Sequence, residues 1–271
     1  MANISIVTAF YDIGRGDWTP EKGHPHYLHR PNNVYIERFK RLTRLHNDIT
    51  VFTSPDLVEK LEKACEGSTS KVTVVGFDIL TAFSGMKNEI RQIQQSPQFI
   101  KKINFSQIRN PEYWNSDYVL VTNLKALFPT IAIAEKLVKN DMVAWIDFGY
   151  CRSDNNITAS QQWNYNFDPE KIHLFAYKDY DNTPIETVVA NNDVYILGAK
   201  VVASSKMWNK LNKLMTESYR VLIEKNMVDD DQGLWLLSYI IKPEIFDLHR
   251  IPDHQLGHDP FVLFNQFNDT P

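Results

Sequence analysis

Short apolar runs rich in β-branched residues alternate with amphipathic stretches along the chain. Ile4–Phe10 (ISIVTAF) is almost uninterrupted by polar residues, as expected of a strand covered on both faces, and it empties into a loop carrying Gly14 and Gly16. Within Pro31–Asn47, Tyr35, Ile36, Phe39, Leu42 and Leu45 recur at helical spacing. Ile49–Thr53 predicts a second strand, Pro55 suits the first position of a short helix over Asp56–Cys65, and Val72–Phe77 predicts a third strand. The resulting βαβαβ order points to a parallel sheet.

The second half is less regular. Thr81–Asn110 reads as polar helix with Met86, Ile90, Ile93 and Phe99 as its apolar points, Tyr118–Thr122 (YVLVT) as a strand, and Phe128–Val138 as an apolar helix. Met142–Phe148 predicts a strand, residues 153–171 a loop, and His173–Tyr177 and Val194–Leu197 two further strands. Ser204–Lys225 predicts a long amphipathic helix and Leu234–Ile241 another, after which the chain reads as irregular beyond Phe246. No repeat or linker interrupts the pattern, so the expectation is one α/β domain over residues 1–271.

Charge and cysteine content narrow the class. The 271 residues carry 29 Lys plus Arg against 33 Asp plus Glu, a net charge of −4, which argues against a nucleic-acid partner. Cys65 and Cys151 form neither a disulfide framework nor a Cys-x-x-Cys pair, as expected in a reducing cytoplasm. No basic segment of a signal peptide precedes the first strand, and no apolar run approaches the roughly 20 residues of a membrane span. The expectation is a soluble cytoplasmic protein.

Several residues could carry chemistry. Asp147 closes the apolar strand WIDFG, where an ionised carboxylate needs a cationic partner; it either faces a ligand or caps a turn. Asp229, Asp230 and Asp231 precede Gln232 at a helix start; they either cap the helix or include a base. His249, His254 and His258 are either surface residues or metal ligands. Gly14-Arg15-Gly16 could bring backbone N–H groups and a guanidinium to a diphosphate, although the dinucleotide fingerprint is absent. P-loop, zincin and α/β-hydrolase motifs are also absent. Trp18, Trp114 and Trp163 fall in or beside expected loops, where each is either buried or available for stacking.

The segments IVTAFYDIGRGDW, VAWIDFGYCR and DDDQGLW resemble the bacterial HtrL/YibB family, and the similarity extends over nearly the whole chain. The layout is in turn similar to GT-A-type glycosyltransferases. This resemblance implies a Rossmann-like, mixed but mostly parallel sheet flanked by helices. It also implies a glycosyltransferase that moves a sugar from a nucleotide-sugar, with a UDP-sugar as the expected donor. The acceptor would be a bacterial surface glycan or glycolipid such as lipopolysaccharide, which would bring the enzyme to the inner face of the inner membrane. Thr8, Ala9 and Phe10 would line the uracil and ribose, Arg15 the diphosphate, and Asn123 and Lys125 the donor. Asp147 matches the first acid of an Asp-x-Asp motif for manganese or magnesium, with Gly149 in place of the second, and His254 or His258 would complete the metal site. Gly198 would admit a sugar to the backbone, and Asp231 with Gln232 would contact the transferred sugar, Asp230 being the alternative base. The other readings of the same residues are a non-catalytic nucleotide- or glycan-binding protein and a nucleotide-sugar hydrolase.

Overall fold

The computed structural model describes residues 3–154 and 162–251. Seven strands, β1 (Ile4–Phe10), β2 (Ile49–Thr53), β3 (Val72–Gly76), β4 (Met142–Ile146), β5 (Ile172–Ala176), β6 (Ile196–Ser204) and β7 (Phe246–Arg250), form one sheet in the order β3-β2-β1-β4-β6-β5-β7. All run parallel except β6, which is antiparallel to both β4 and β5. This is the mixed, mostly parallel α/β architecture expected from the sequence. The chain moves outward from β1 through β2 to β3, then returns to place β4 on the other side of β1. The carboxyl ends of β1 and β4 therefore flank the switch in strand order, where open α/β sheets leave a crevice for ligands.

Ten α-helices cover the sheet among the described residues. They are α1 (Asn32–Leu42), α2 (Val58–Ala64), α3 (Ile79–Ala82), α4 (Ser84–Gln94), α5 (Pro97–Lys102), α6 (Ser116–Asn123), α7 (Leu127–Ala134), α8 (Ile185–Asn191), α9 (Ser205–Glu224) and α10 (Asp231–Ile241). Alternation along β1 divides the core between its two faces. Ile4, Ile6 and Phe10 pack with Ile36, Phe39 and Leu42 of α1, whereas Val7 packs with Phe128 and with Trp208 of α9. None of these helices is by itself long and apolar enough to cross a membrane.

Four expectations are corrected. Tyr118–Thr122 is helix, not strand: the Asn115 carboxamide accepts the Tyr118 N–H at 2.8 Å and starts α6, whose Ser116, Val119, Leu120 and Asn123 are buried at helical spacing. Thr81–Asn110 is not one helix. Asp78 caps α3, Ser96 caps α5, and Pro97 at the first position of α5 separates it from α4. The strand expected at Val194–Leu197 is the start of β6, which continues to Ser204 through buried Lys200, whose ammonium lies over the Phe175 ring at 4.2 Å. The chain after Phe246 is not irregular at first, because Phe246–Arg250 pairs with β5 as the edge strand β7.

Candidate functional site

A cleft of about 430 Å³ opens at the carboxyl ends of β1 and β4 and the start of β6. Its floor is built around Lys125. The Lys125 ammonium lies 2.8 Å from Asp147 Oδ1 and 3.1 Å from Asp231 Oδ2, and it donates to the Gly198 carbonyl at 3.1 Å. Burial opposes that charge, yet Asp147 and Asp231 outweigh it and hold the amine above its ordinary pKa.

Local sequence explains how Lys125 reaches this point. Pro129 cannot donate to the carbonyl four residues earlier, and its ring would collide with it, so α6 and α7 cannot continue as one helix. The chain bends by 47° between them, and Lys125 lies in the bend. Asp147 follows the last residue of β4, where its N–H donates to the Ala199 carbonyl at 2.9 Å and its Oδ1 accepts from Trp145 Nε1 at 2.8 Å.

The aspartate run divides its work. Asp230 is the N-cap of α10: its Oδ1 accepts the Gln232 N–H at 2.9 Å, and its Oδ2 accepts the Tyr118 hydroxyl at 3.3 Å. Asp231 turns to Lys125 and also accepts from Trp235 Nε1 at 3.1 Å, while Gln232 Nε2 donates to the Ile196 carbonyl at 3.2 Å. Asp229 packs behind, its carboxylate so close to Gly233 that an added Cβ would lie 1.9 Å from it. Burial pushes Asp229 and Asp230 up. It also pushes Asp231 to about 8, Lys125 pulling down against the neighbouring Asp230 and Asp147 charges. Glu112 is raised to about 8 by burial and by Asp230. The floor therefore gathers more carboxyl groups than its one ammonium can neutralise.

The opposite wall is cationic. Arg15, Arg30, Arg38 and Arg152 all line the cleft. Arg15 donates to the Tyr35 hydroxyl at 2.8 Å and to the Leu28 carbonyl at 3.4 Å, with its guanidinium 5.2 Å from the Trp18 ring centre. Arg38 is lowered by burial and then by the Arg30 and Arg152 charges, the mark of a wall that would gain from an anion.

Of the residues singled out in the sequence, Ala9, Phe10, Arg15, Lys125, Asp147, Gly149, Gly198, Asp230, Asp231 and Gln232 line this cleft. Thr8 and Asn123 do not: both are buried outside the lining, Thr8 within β1 and Asn123 in the last turn of α6. His254 and His258 lie outside the described residues. Trp163 is fully buried in the core, and Trp18 is buried against Trp114, with ring centres 4.9 Å apart. Reasoning from sequence missed Arg30, Arg38, Tyr118 and Arg152. Arg38 lies beside the buried face of α1, and Tyr118 was hidden by the expectation of a strand.

His249 is a β7 residue. Its Nε2 lies 2.9 Å from His173 Nδ1 of β5, and burial lowers both imidazoles, His249 to about 4.

Comparison with known proteins agrees with the sequence motifs. A family model described as "Bacterial protein of unknown function (HtrL_YibB)" matches residues 2–267. Protein HtrL of Escherichia coli (strain K12) is 40% identical over 254 residues, covering 92% of this chain and 88% of that protein. Among solved structures, the apo form of mouse xyloside xylosyltransferase 1 aligns with a TM-score of 0.47 and 11% identity, covering 92% of this chain and 85% of that one. With a family model spanning nearly all of it and a close relative along most of its length, the chain belongs to the bacterial HtrL_YibB family.

Proposed function

We propose that the protein is a glycosyltransferase that takes a sugar from a nucleotide diphosphate donor, a UDP-sugar, and passes it to a bacterial surface glycan. The observation that carries this reading is the division of one cleft at the sheet's switch point into an arginine wall and a carboxylate floor. Arginine forks suit the oxygens of a diphosphate, and carboxylates suit the hydroxyls of a sugar.

In this reading Ala9 and Phe10 meet the nucleoside and Arg15, Arg38 and Arg152 receive the diphosphate. Charge that develops on the departing diphosphate is met by these preorganised cations. Gly198 lets the Asp231 carboxylate approach the β6 backbone, since a Cβ there would lie 2.1 Å from Asp231 Oδ2, and so places that carboxylate where the sugar would meet it. Asp231, raised toward neutrality, takes the acceptor proton if the anomeric centre inverts, and Gln232 orients the sugar.

The manganese or magnesium ion implied by the family resemblance does not fit the donors described. Asp147 Oδ1 already accepts from an ammonium and an indole, which leaves a single carboxylate oxygen for an ion, and Gly149 supplies no second acid, since a Cβ there would lie 2.7 Å from the Tyr35 ring. The charge work is therefore assigned to Lys125 and the arginines.

Calorimetric titration of UDP and UDP-sugars, with manganese and again with EDTA, tests the reading. Binding in both conditions, followed by sugar transfer to a glycan acceptor, is the expected result. Binding only with manganese would restore Asp147 to an ion site, and no nucleotide binding in either condition would remove the donor site altogether.

A further inference from the structure

The parallel pairing of β7 with β5 sets His173 opposite Asp247 and Phe175 opposite His249. Side chains two apart on a strand share a face, so His173, Asp247 and His249 meet on one side of the sheet edge. Three atoms able to serve as metal ligands converge there. His173 Nδ1 is 2.9 Å from His249 Nε2 and 3.5 Å from Asp247 Oδ2, and His249 Nε2 is 3.7 Å from the same oxygen.

These separations define a triangle whose three corners all lie about 2.0 Å from a single point, the bond length of a zinc ion to imidazole nitrogen or carboxylate oxygen. The tautomer agrees with ligation. His173 Nε2 lies 2.9 Å from the Asp168 carbonyl, which can only accept, so that nitrogen carries the proton and Nδ1 presents its lone pair to the triangle. A backbone carbonyl holding the outer N–H is the usual support of a metal-bound histidine.

We propose that His173, Asp247 and His249 form a binding site for a divalent transition metal of the zinc type, separate from the cleft, which ties the edge strand β7 to β5. Two imidazoles and one carboxylate favour zinc, cobalt or nickel over magnesium or manganese. The ion replaces the hydrogen bond between the two rings, His249 then carrying its proton on Nδ1. His173 is buried whereas the Asp247 side chain is 49% exposed, and a water would complete the tetrahedral set. None of the three residues lines the cleft, but Ile251, two residues beyond His249, does. Fixing β7 thereby fixes one edge of the cleft wall.

Cobalt(II) titration of metal-stripped protein, followed by visible absorption and then by displacement with zinc, tests this site. One cobalt per chain with the strong bands of a tetrahedral site is expected, with affinity in the micromolar range or tighter. Asp247→Ala and His249→Ala should each weaken binding at least ~10-fold, and Asp147→Ala in the cleft should leave it unchanged. Zinc should raise the melting temperature of the parent protein and not of Asp247→Ala, whose side chain is half-exposed. Absence of binding, or binding that survives both edge variants or is lost in Asp147→Ala, would overturn the proposal and leave the two histidines as a hydrogen-bonded pair.

Discussion

Asp147 and Asp231 on the cleft floor and Asp247 at the sheet edge are all carboxylates that face nitrogen, but the nitrogens differ. On the floor the partner is the buried Lys125 ammonium, a permanent cation supplied by the chain itself. At the edge the partners are two imidazoles held neutral by burial, which offer lone pairs. A carboxylate that already has its cation has little to gain from an ion, whereas one facing lone pairs gains much. The family motif therefore directs attention to Asp147 as a metal ligand, while the donor chemistry favours a site that no motif marks. The two regions also differ in exposure: the Asp231 side chain is 4% exposed and that of Asp247 49%, with Asp147 between them at 35%.

The largest effect should come from removing the internal cation. Lys125→Met leaves Asp147 and Asp231 without their shared partner and should lower the unfolding free energy by about 3–5 kcal/mol, measured by urea denaturation at pH 7. An unchanged stability would mean that the floor is already neutral by protonation, and the contrast with the edge would disappear.

Gly198→Ala probes the same floor by crowding it. The new Cβ would lie 2.1 Å from Asp231 Oδ2 and 3.0 Å from Gln232 Cγ, driving Asp231 off Lys125. A loss of roughly 1–3 kcal/mol is expected, together with weaker UDP-sugar binding by calorimetry. Parent-like values in both would show that the contact between β6 and α10 yields freely.

The smallest effect concerns the surplus of acids. Glu112 titrates in the folded protein near 8, above its unfolded value, so the folded state keeps a proton that the unfolded chain releases. Its contribution to stability is complete below the unfolded pKa and is lost as pH rises through about 8. Glu112→Gln cannot ionise, so its melting temperature should fall less between pH 5 and pH 8 than the parent's, with a gain of roughly 2–4 °C at pH 8. Parallel melting curves across that range would place the excess charge elsewhere in the cluster.

The sequence by itself determined the parallel half of the sheet. The continuous apolar runs of β1, β2 and β4 have few other ways to be buried, and Pro55 marks its helical turn by chemistry that acts within a few residues. It also determined most of the floor: Asp147 interrupts an apolar strand, and three consecutive acids exceed what one helix cap requires. Where local signals conflicted, packing decided. YVLVT has the composition of a strand, but Asn115 and the helical spacing of its buried residues make it α6 and bring Tyr118 to the cleft. Only the tertiary structure set Lys125 between Asp147 and Asp231, gathered arginines from distant segments into one wall, and paired His173 with His249. Such meetings depend on strand order and register, and the energies that fix those are summed over the whole sheet and its two cores rather than written in any short segment.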